Sequence, residues 1–419
     1  MARLLYTLAI LALLPWALLH LVWRARRQPE YLRHWSERFG FFAPAPGEPL
    51  IWIHAVSVGE TRAAQPLVAA LKERYPGHRI LMTHMTPTGR LTSEAVFGNQ
   101  VERCYLPYDT PWAVTRFLAH FRPVVGIIME TEIWPNLVAG CHGHAIPLLL
   151  INARLSAKSA RRYGRFPRIT AETLAKLAAI TAIGEDDARR LRELGAPEVA
   201  VCGHIKFDID PPVEQIAMGD EFRRLCGDRP LLLCASTREG EERLILDAWA
   251  PLRGRGMLLG LVPRHPQRFD EVARLAAGGG FQVARRSTNA PVPPDADIWI
   301  GDSMGEMFGY YAAADAAFIG GSLLEYGSQN LIEACAVGTP VLIGPSIFNF
   351  PDTARAAVAC GAALQIADAE ELAAQAAELL GNKARLAAMG TAGKGFAASH
   401  RGATARNLTL IEPFIPAGR

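Results

Sequence analysis

Short apolar runs recur along this chain, each closing on small or polar residues and followed by a stretch with helical spacing. In the first half these runs are Leu50–Val56, Arg79–Thr83, Val101–Leu106, Val124–Met129, Ile146–Ile151, Ala179–Ala182 and Val199–Cys202. They are rich in β-branched and aromatic residues and too short for core helices, so they predict buried parallel strands. Helical spacing between most of them, such as Thr61 to about Tyr75, completes a βαβ rhythm. At 208–214, Asp-Ile-Asp-Pro-Pro-Val-Glu interrupts it and predicts a linker. The rhythm then resumes at Leu231–Cys234, Met257–Val262, Phe281–Ala284, Ile298–Ile300, Ala316–Ile319, Pro340–Ile343 and Ala363–Gln365. Residues 369–412 read as mostly helical.

The pattern therefore predicts an α/β protein of two doubly wound, Rossmann-like domains with a cleft between them, suited to a reaction between two molecules. The expected division is an N-terminal segment 1–27, a first domain 28–207, a linker 208–215, a second domain 216–395 and a helical tail 396–419. A length of 419 residues accommodates two domains, and 50% apolar residues supply two cores.

Residues 4–23 form an uncharged apolar stretch of about one bilayer-spanning length. Arg24, Arg26 and Arg27 follow it, with no small-residue cleavage site between. This predicts a retained membrane-anchor helix, spanning or interfacial, with the rest of the chain on the cytoplasmic side. A net charge of +3 gives no sign of nucleic-acid binding. Seven cysteines, odd in number, widely spaced and without C-x-x-C, argue for a reducing compartment and against a disulfide framework or structural zinc. Cys141-His-Gly-His144 reads as a short loop without a second ligand cluster.

Chemistry-bearing residues gather where strands end, which is where open α/β sheets bind ligands. After the first strand, Ser-Val-Gly-Glu60 sets an acid at the mouth of a strand-loop-helix unit, fit either for proton transfer or for favouring a helix N-terminus. Met129-Glu-Thr-Glu-Ile-Trp-Pro-Asn136 sets Glu130 and Glu132 past another strand. Asn152 to Arg168 holds Arg154, Lys158, Arg161, Arg162, Arg165 and Arg168 with no acid, a solvated face or a patch for anionic lipid. Lys206 lies beside the linker. In the second half, Cys234-Ala-Ser-Thr-Arg-Glu-Gly-Glu-Glu242 offers a phosphate cradle or a plain helix cap. Arg264, His265 and Arg268 concentrate positive charge in Pro263-Arg-His-Pro-Gln-Arg268. Gly301-Asp-Ser-Met-Gly-Glu-Met307 and the glycine-rich loop from Gly320, leading to a helix expected near Asn330, complete a nucleotide-type set. G-x-G-x-x-G follows neither first strand, which disfavours a dinucleotide oxidoreductase. Asp208-Ile-Asp210 and Asp295-Ala-Asp297 resemble D-x-D metal sites, but one runs into prolines and the other precedes a strand in a turn, so no metal or cofactor is expected.

Taken in order, H-A-V-S-V-G-E, E-T-E-I-W-P-N, N-A-R-L-S, S-T-R-E-G-E-E, P-R-H-P-x-R-F, G-D-S-M-G-E-M and G-G-S-L cover nearly the whole chain. In these motifs the chain resembles the 3-deoxy-D-manno-octulosonic acid (Kdo) transferases of lipopolysaccharide synthesis, which have the GT-B glycosyltransferase fold. The resemblance implies a CMP-Kdo donor held by the C-terminal half and a lipid A precursor, lipid IVA, taken by the N-terminal half. It implies a membrane-associated inverting enzyme at the cytoplasmic face of the inner membrane, without a cofactor. Residue by residue it implies that Glu60 is the general base and that Glu130 and Lys206 stabilise the transition state. It implies CMP contacts from Pro263, Arg264, Met304, Gly305, Glu306, Asn330, Leu331, Ile332 and Glu333. The chain departs from the family pattern at Gly327-Ser-Gln-Asn-Leu-Ile-Glu-Ala334, where G-G-H-N-P-L-E-P is common, and at Arg238, where histidine is common. A GT-B sugar-nucleotide 2-epimerase, another GT-B transferase and a non-catalytic tethered nucleotide-binding protein are the alternatives.

Overall fold

A computed structural model describes residues 1–26, 28–43, 47–208 and 210–416; Arg27 and Ile209, which the anchor and linker assignments include, lie outside them. Among the described residues fourteen strands form two parallel sheets of seven. In the first are β1 (Leu50–His54), β2 (Arg79–His84), β3 (Glu102–Tyr105), β4 (Val125–Met129), β5 (Leu148–Ala153), β6 (Ala179–Ala182) and β7 (Ala200–Val201), in the order β3-β2-β1-β4-β5-β6-β7. In the second are β8 (Leu231–Thr237), β9 (Leu258–Pro263), β10 (Val283–Arg285), β11 (Ile298–Ile300), β12 (Ala316–Ile319), β13 (Val341–Ile343) and β14 (Ala363–Gln365), in the order β10-β11-β9-β8-β12-β13-β14. Every apolar run read as a strand is one, and the fold is the two-unit GT-B type.

The continuous apolar character of β1 follows from helices covering both faces of its sheet. Leu50 and Trp52 enter one core with Phe117, Leu137 and Leu148. Ile51 and Ile53, pointing the opposite way, enter a second core with Leu67, Val68 and Ile411. Trp52 Nε1 donates to Thr83 Oγ1 at 2.8 Å, so the one polar atom of its buried ring has a partner.

The chain divides into two compact units, residues 1–208 with 401–419, and residues 209–400. The stretch expected as one tail at 396–419 is thus split. The helix Lys383–Ser399 belongs to the second unit, and Ala403–Ile411 returns to the first. The reason is Asp208, whose carboxylate accepts the backbone N–H groups of Gly402, Ala403 and Thr404 and so caps the returning helix. Asp208 therefore ends the first unit, and the helix Val213–Cys226 begins soon after, leaving a linker shorter than 208–215. The helix expected from Thr61 is two helices, Val58–Ala63 and Gln65–Arg74. Pro66, without an N–H, breaks one from the other.

The N-terminal helix Ala2–Ala25 has mean hydropathy 2.0 in its most apolar window, long and apolar enough to cross a membrane. Leu4, Leu8, Leu11, Trp16 and Leu19 are exposed along it. It also docks on the first unit: Tyr6 OH donates to Asp109 Oδ2 at 2.9 Å, and Thr7 Oγ1 to Asn136 Oδ1 at 3.1 Å.

Candidate active site

In the first unit, the loops after β1, β4 and β7 bring four charged side chains within electrostatic reach of one another. Ser57 starts the helix after β1, its Oγ accepting the Glu60 N–H at 3.2 Å. Glu60 turns back into this turn, where Oε2 accepts the Val56 N–H at 2.7 Å and Oε1 accepts the Ser57 hydroxyl at 2.8 Å. The S-x-x-E spacing is a capping box, so part of what holds Glu60 is ordinary helix-start chemistry. Its surroundings go further. Glu60 is 8% exposed, and burial pushes its carboxyl above the usual range, with the Val56 N–H pulling it down and the Glu130 charge pushing it up.

Glu130 follows β4 directly and sits at φ 60°, a left-handed backbone that non-glycine residues seldom adopt. Its Oε1 lies 3.7 Å from Lys206 Nζ. Lys206 belongs to the one-turn helix Ile205–Phe207 after β7, and a Cβ placed on Gly59 would lie 3.8 Å from its amino group, beside the Glu60 helix. Lys206 in turn lowers the Glu60 pKa. Glu132 completes the cluster. Burial first, and then the Glu60 charge, push its carboxyl up to about 7, against a 3.0 Å hydrogen bond from Trp134 Nε1.

One positioning residue has no role in the sequence reading. Asn152, inside the N-A-R-L-S motif, is the last residue but one of β5, sits at φ 57° and is buried. Its Oδ1 accepts the Ile205 N–H at 3.0 Å, which fixes the turn that carries Lys206. The motif marks the place, but only the folded chain brings β5 and the β7 loop together. The basic stretch lies on the helices Ala157–Tyr163 and Pro167–Leu174 and the turn between them. Lys158, Arg161, Arg162, Arg165 and Arg168 are exposed there, with Phe166 among them.

In the second unit, Pro263 closes β9 buried, and Arg264 follows it exposed, its N–H donating to Thr237 O at 3.0 Å. Arg238, Arg264 and Arg268 make this strand end electropositive, and burial, then their charges, hold the His265 imidazole below its usual range. Arg268 itself pairs with Glu242 at 2.7 Å and Glu271 at 2.9 Å. Met304 is 55% exposed and Gly305 takes φ 82° with open space where a side chain would stand. Glu306 pairs with Arg286 at 3.3 Å and also accepts the Ser303 hydroxyl. Backbone meets backbone at Gly320, where a Cβ would lie 2.5 Å from Ser236 O, so the β8 and β12 loops close up only with glycine there.

The helix expected near Asn330 starts at Ile332. Asn330 stands before it, Oδ1 accepting the Ile332 N–H at 3.0 Å and Nδ2 reaching Glu333 Oε1 at 3.5 Å. The side chains of Leu331 and Ile332 are buried, which leaves their backbone, not their side chains, open to contact. Asp297 accepts the Gln282 N–H and pairs with Arg253, as Asp208 caps a helix. Both D-x-D stretches thus have structural work. Among the described residues no group of three or more His, Cys, Asp or Glu gathers as a metal site would.

Comparison with known proteins places the chain in a family. Residues 33–209 match the family model described as 3-deoxy-D-manno-octulosonic-acid transferase (kdotransferase), and residues 272–396 match glycosyl transferases group 1. A 3-deoxy-D-manno-octulosonic acid transferase of Bordetella pertussis is 44% identical over 99% of this chain and 100% of its own length. One from Haemophilus influenzae is 38% identical over 99% of both. Among solved structures, a glycosyltransferase from Rickettsia africae superposes with TM-score 0.62 at 13% identity, covering 89% of this chain and all of that one. A UDP-GlcNAc 2-epimerase from Neisseria meningitidis gives TM-score 0.60 at 12% identity, covering 87% of this chain and 100% of that one. At such identities these two show the fold alone.

Proposed function

This chain belongs to the Kdo transferase family and is a Kdo glycosyltransferase of lipopolysaccharide synthesis, and on that premise we propose that it moves Kdo from CMP-Kdo to lipid IVA with inversion. The observation that carries the reading is Glu60: a buried carboxylate with a raised pKa, set against the Glu130–Lys206 pair at the carboxyl end of the first sheet. A base raised toward neutrality is matched to removing a hydroxyl proton. Glu60 takes the proton from a sugar hydroxyl of the acceptor. That oxygen bonds to the anomeric carbon of Kdo, and the bond from this carbon to the phosphate oxygen breaks, its electron pair leaving with CMP. Lys206, held by Glu130 and by the Asn152-anchored turn, offsets negative charge as it develops.

In this proposal residues 28–207 take the acceptor and 216–395 take the donor. Pro263 and Arg264, then Met304, Gly305 and Glu306, then Asn330, Leu331, Ile332 and Glu333 hold CMP. Arg264 supplies charge, while Gly305, Leu331 and Ile332 supply backbone. The apolar helix Ala2–Ala25 and the exposed arginines at 161–168 support membrane association at the cytoplasmic face of the inner membrane. The test is turnover of Glu60→Ala with CMP-Kdo and lipid IVA, the product read by mass spectrometry. A fall of about 10²–10⁴-fold in kcat with CMP affinity kept is expected; near-normal turnover would remove Glu60 from the reaction.

A further inference from the structure

Beside the carboxylate cluster, the first unit contains a cavity of about 1020 Å³, at the upper end of the roughly 300–1,000 Å³ of small-molecule pockets. One wall is the N-terminal helix, through Leu5, Ala9 and Ile10; facing it are Ile133, Phe166 and Ile169. Arg162, Arg165 and Arg168 also line it, and all three are exposed. We propose that this cavity seats an acyl chain of the acceptor lipid, with Arg162, Arg165 and Arg168 taking the anionic groups of its headgroup. The inference rests on the reading of the acceptor as a lipid.

Three observations select this occupant. The walls are apolar, and one of them is a helix that also exposes Leu4, Leu8 and Leu11, so a chain can pass from bilayer to cavity without crossing water. Three guanidinium groups exceed what the single phosphate of a bulk phospholipid needs and suit a headgroup with more than one anionic group. Glu132 lines the same cavity two residues from Glu130, and its carboxyl responds to the Glu60 charge. A lipid lodged here therefore has its polar end beside the proposed base. A bulk lipid gains nothing from that placement, whereas a reacting acceptor does.

The test uses the full chain in lipid nanodiscs with two acceptors: the acylated phosphosugar lipid and the same sugar phosphate with its acyl chains removed. Ala9→Trp and Ile169→Trp fill the cavity from opposite walls. Each is expected to raise KM for the acylated acceptor by about tenfold or more, the discrimination that a few methylenes confer in an apolar pocket. KM for the deacylated acceptor and for CMP-Kdo should stay unchanged, which also shows that the variants fold. Equal effects on both acceptors, or none on either, overturn the acyl-chain assignment. A diazirine at the acyl terminus of the acceptor should label the 5–10 and 166–170 peptides. A diazirine-tagged phosphatidylglycerol that labels them equally, and is not displaced by acceptor, assigns the cavity to bulk lipid and overturns the proposal. Absence of transfer by the wild type to either acceptor would instead remove the lipid-acceptor reading itself.

Discussion

Both sheets follow their first strand with an acid-bearing turn, and the two turns use the charge in opposite ways. After β8, Glu241 accepts backbone N–H groups from Arg238, Gly321 and Leu323 at 2.7–3.0 Å. Its neighbour Glu242 accepts the Thr237 hydroxyl and pairs with Arg268. Both side chains are wholly buried and work as struts: Glu241 ties the turn after β8 to the loop after β12, and Glu242 ties it to Arg268 beyond β9. After β1, Glu60 accepts one backbone N–H and one hydroxyl, and beyond these it meets charges: Glu130, Glu132 and Lys206. An acid surrounded by donors is structural, because each donor is lost if it protonates. An acid buried among charges has a pKa set first by burial and then by those charges, and can exchange a proton.

The sharpest way to break this contrast is to neutralise each acid in turn. Glu60→Gln should lower kcat by about 10²–10⁴-fold with the thermal midpoint little changed. Glu241→Gln should do the reverse. The amide turns a donor toward N–H groups that need an acceptor, costing about 1–3 kcal/mol, visible as a lowered Tm with kcat per folded molecule retained. If Glu241→Gln abolished chemistry in a stable protein, the division between strut and base would be wrong.

Arg264, exposed at the end of β9, tests the second unit directly. Its replacement by Ala should raise KM for CMP-Kdo by about tenfold or more, the scale of one hydrogen bond to a charged group, without moving the acceptor KM.

Glu132 sharpens the comparison through stability. Its folded pKa of about 7 exceeds its ordinary value of 4.5, so ionisation opposes the fold. The cost is absent below the unfolded value, grows as pH rises between the two, and is complete above about 7. Glu132→Gln should therefore raise Tm at pH 8, with the gain vanishing near pH 4, in a pair of calorimetric scans.

The smallest effect lies in the pH–rate profile. Lys206 lowers the Glu60 pKa and Glu130 raises it. Lys206→Ala should move the acidic limb of kcat/KM to higher pH, and Glu130→Gln to lower pH. Shifts in the same direction would show that the two residues do not act on Glu60 as opposed charges.

The sheets were legible in the sequence because parallel strands buried on both faces leave long apolar runs, as at Leu50–His54 and Val125–Met129. The Glu60 turn was legible for a local reason: the capping box lies within four residues. Contacts that close over long separations were not. Nothing near Asn152 shows that it will meet the Ile205 N–H, and nothing near Asp208 shows that its partners are Gly402, Ala403 and Thr404. The pKa of Glu132 was equally hidden, since it depends on burial beside the side chain of Trp134 and on a charge from another loop.

The Asp208 cap also bears on how the chain is made. Ile411 and Ile415 complete the same core as Ile51 and Ile53, yet leave the ribosome after the entire second unit. The half that emerges first therefore finishes folding last, and waits through the synthesis of nearly two hundred residues with one face of its sheet short of its final helix. A chain truncated after residue 400 should hold a folded second unit and a first one still open to protease.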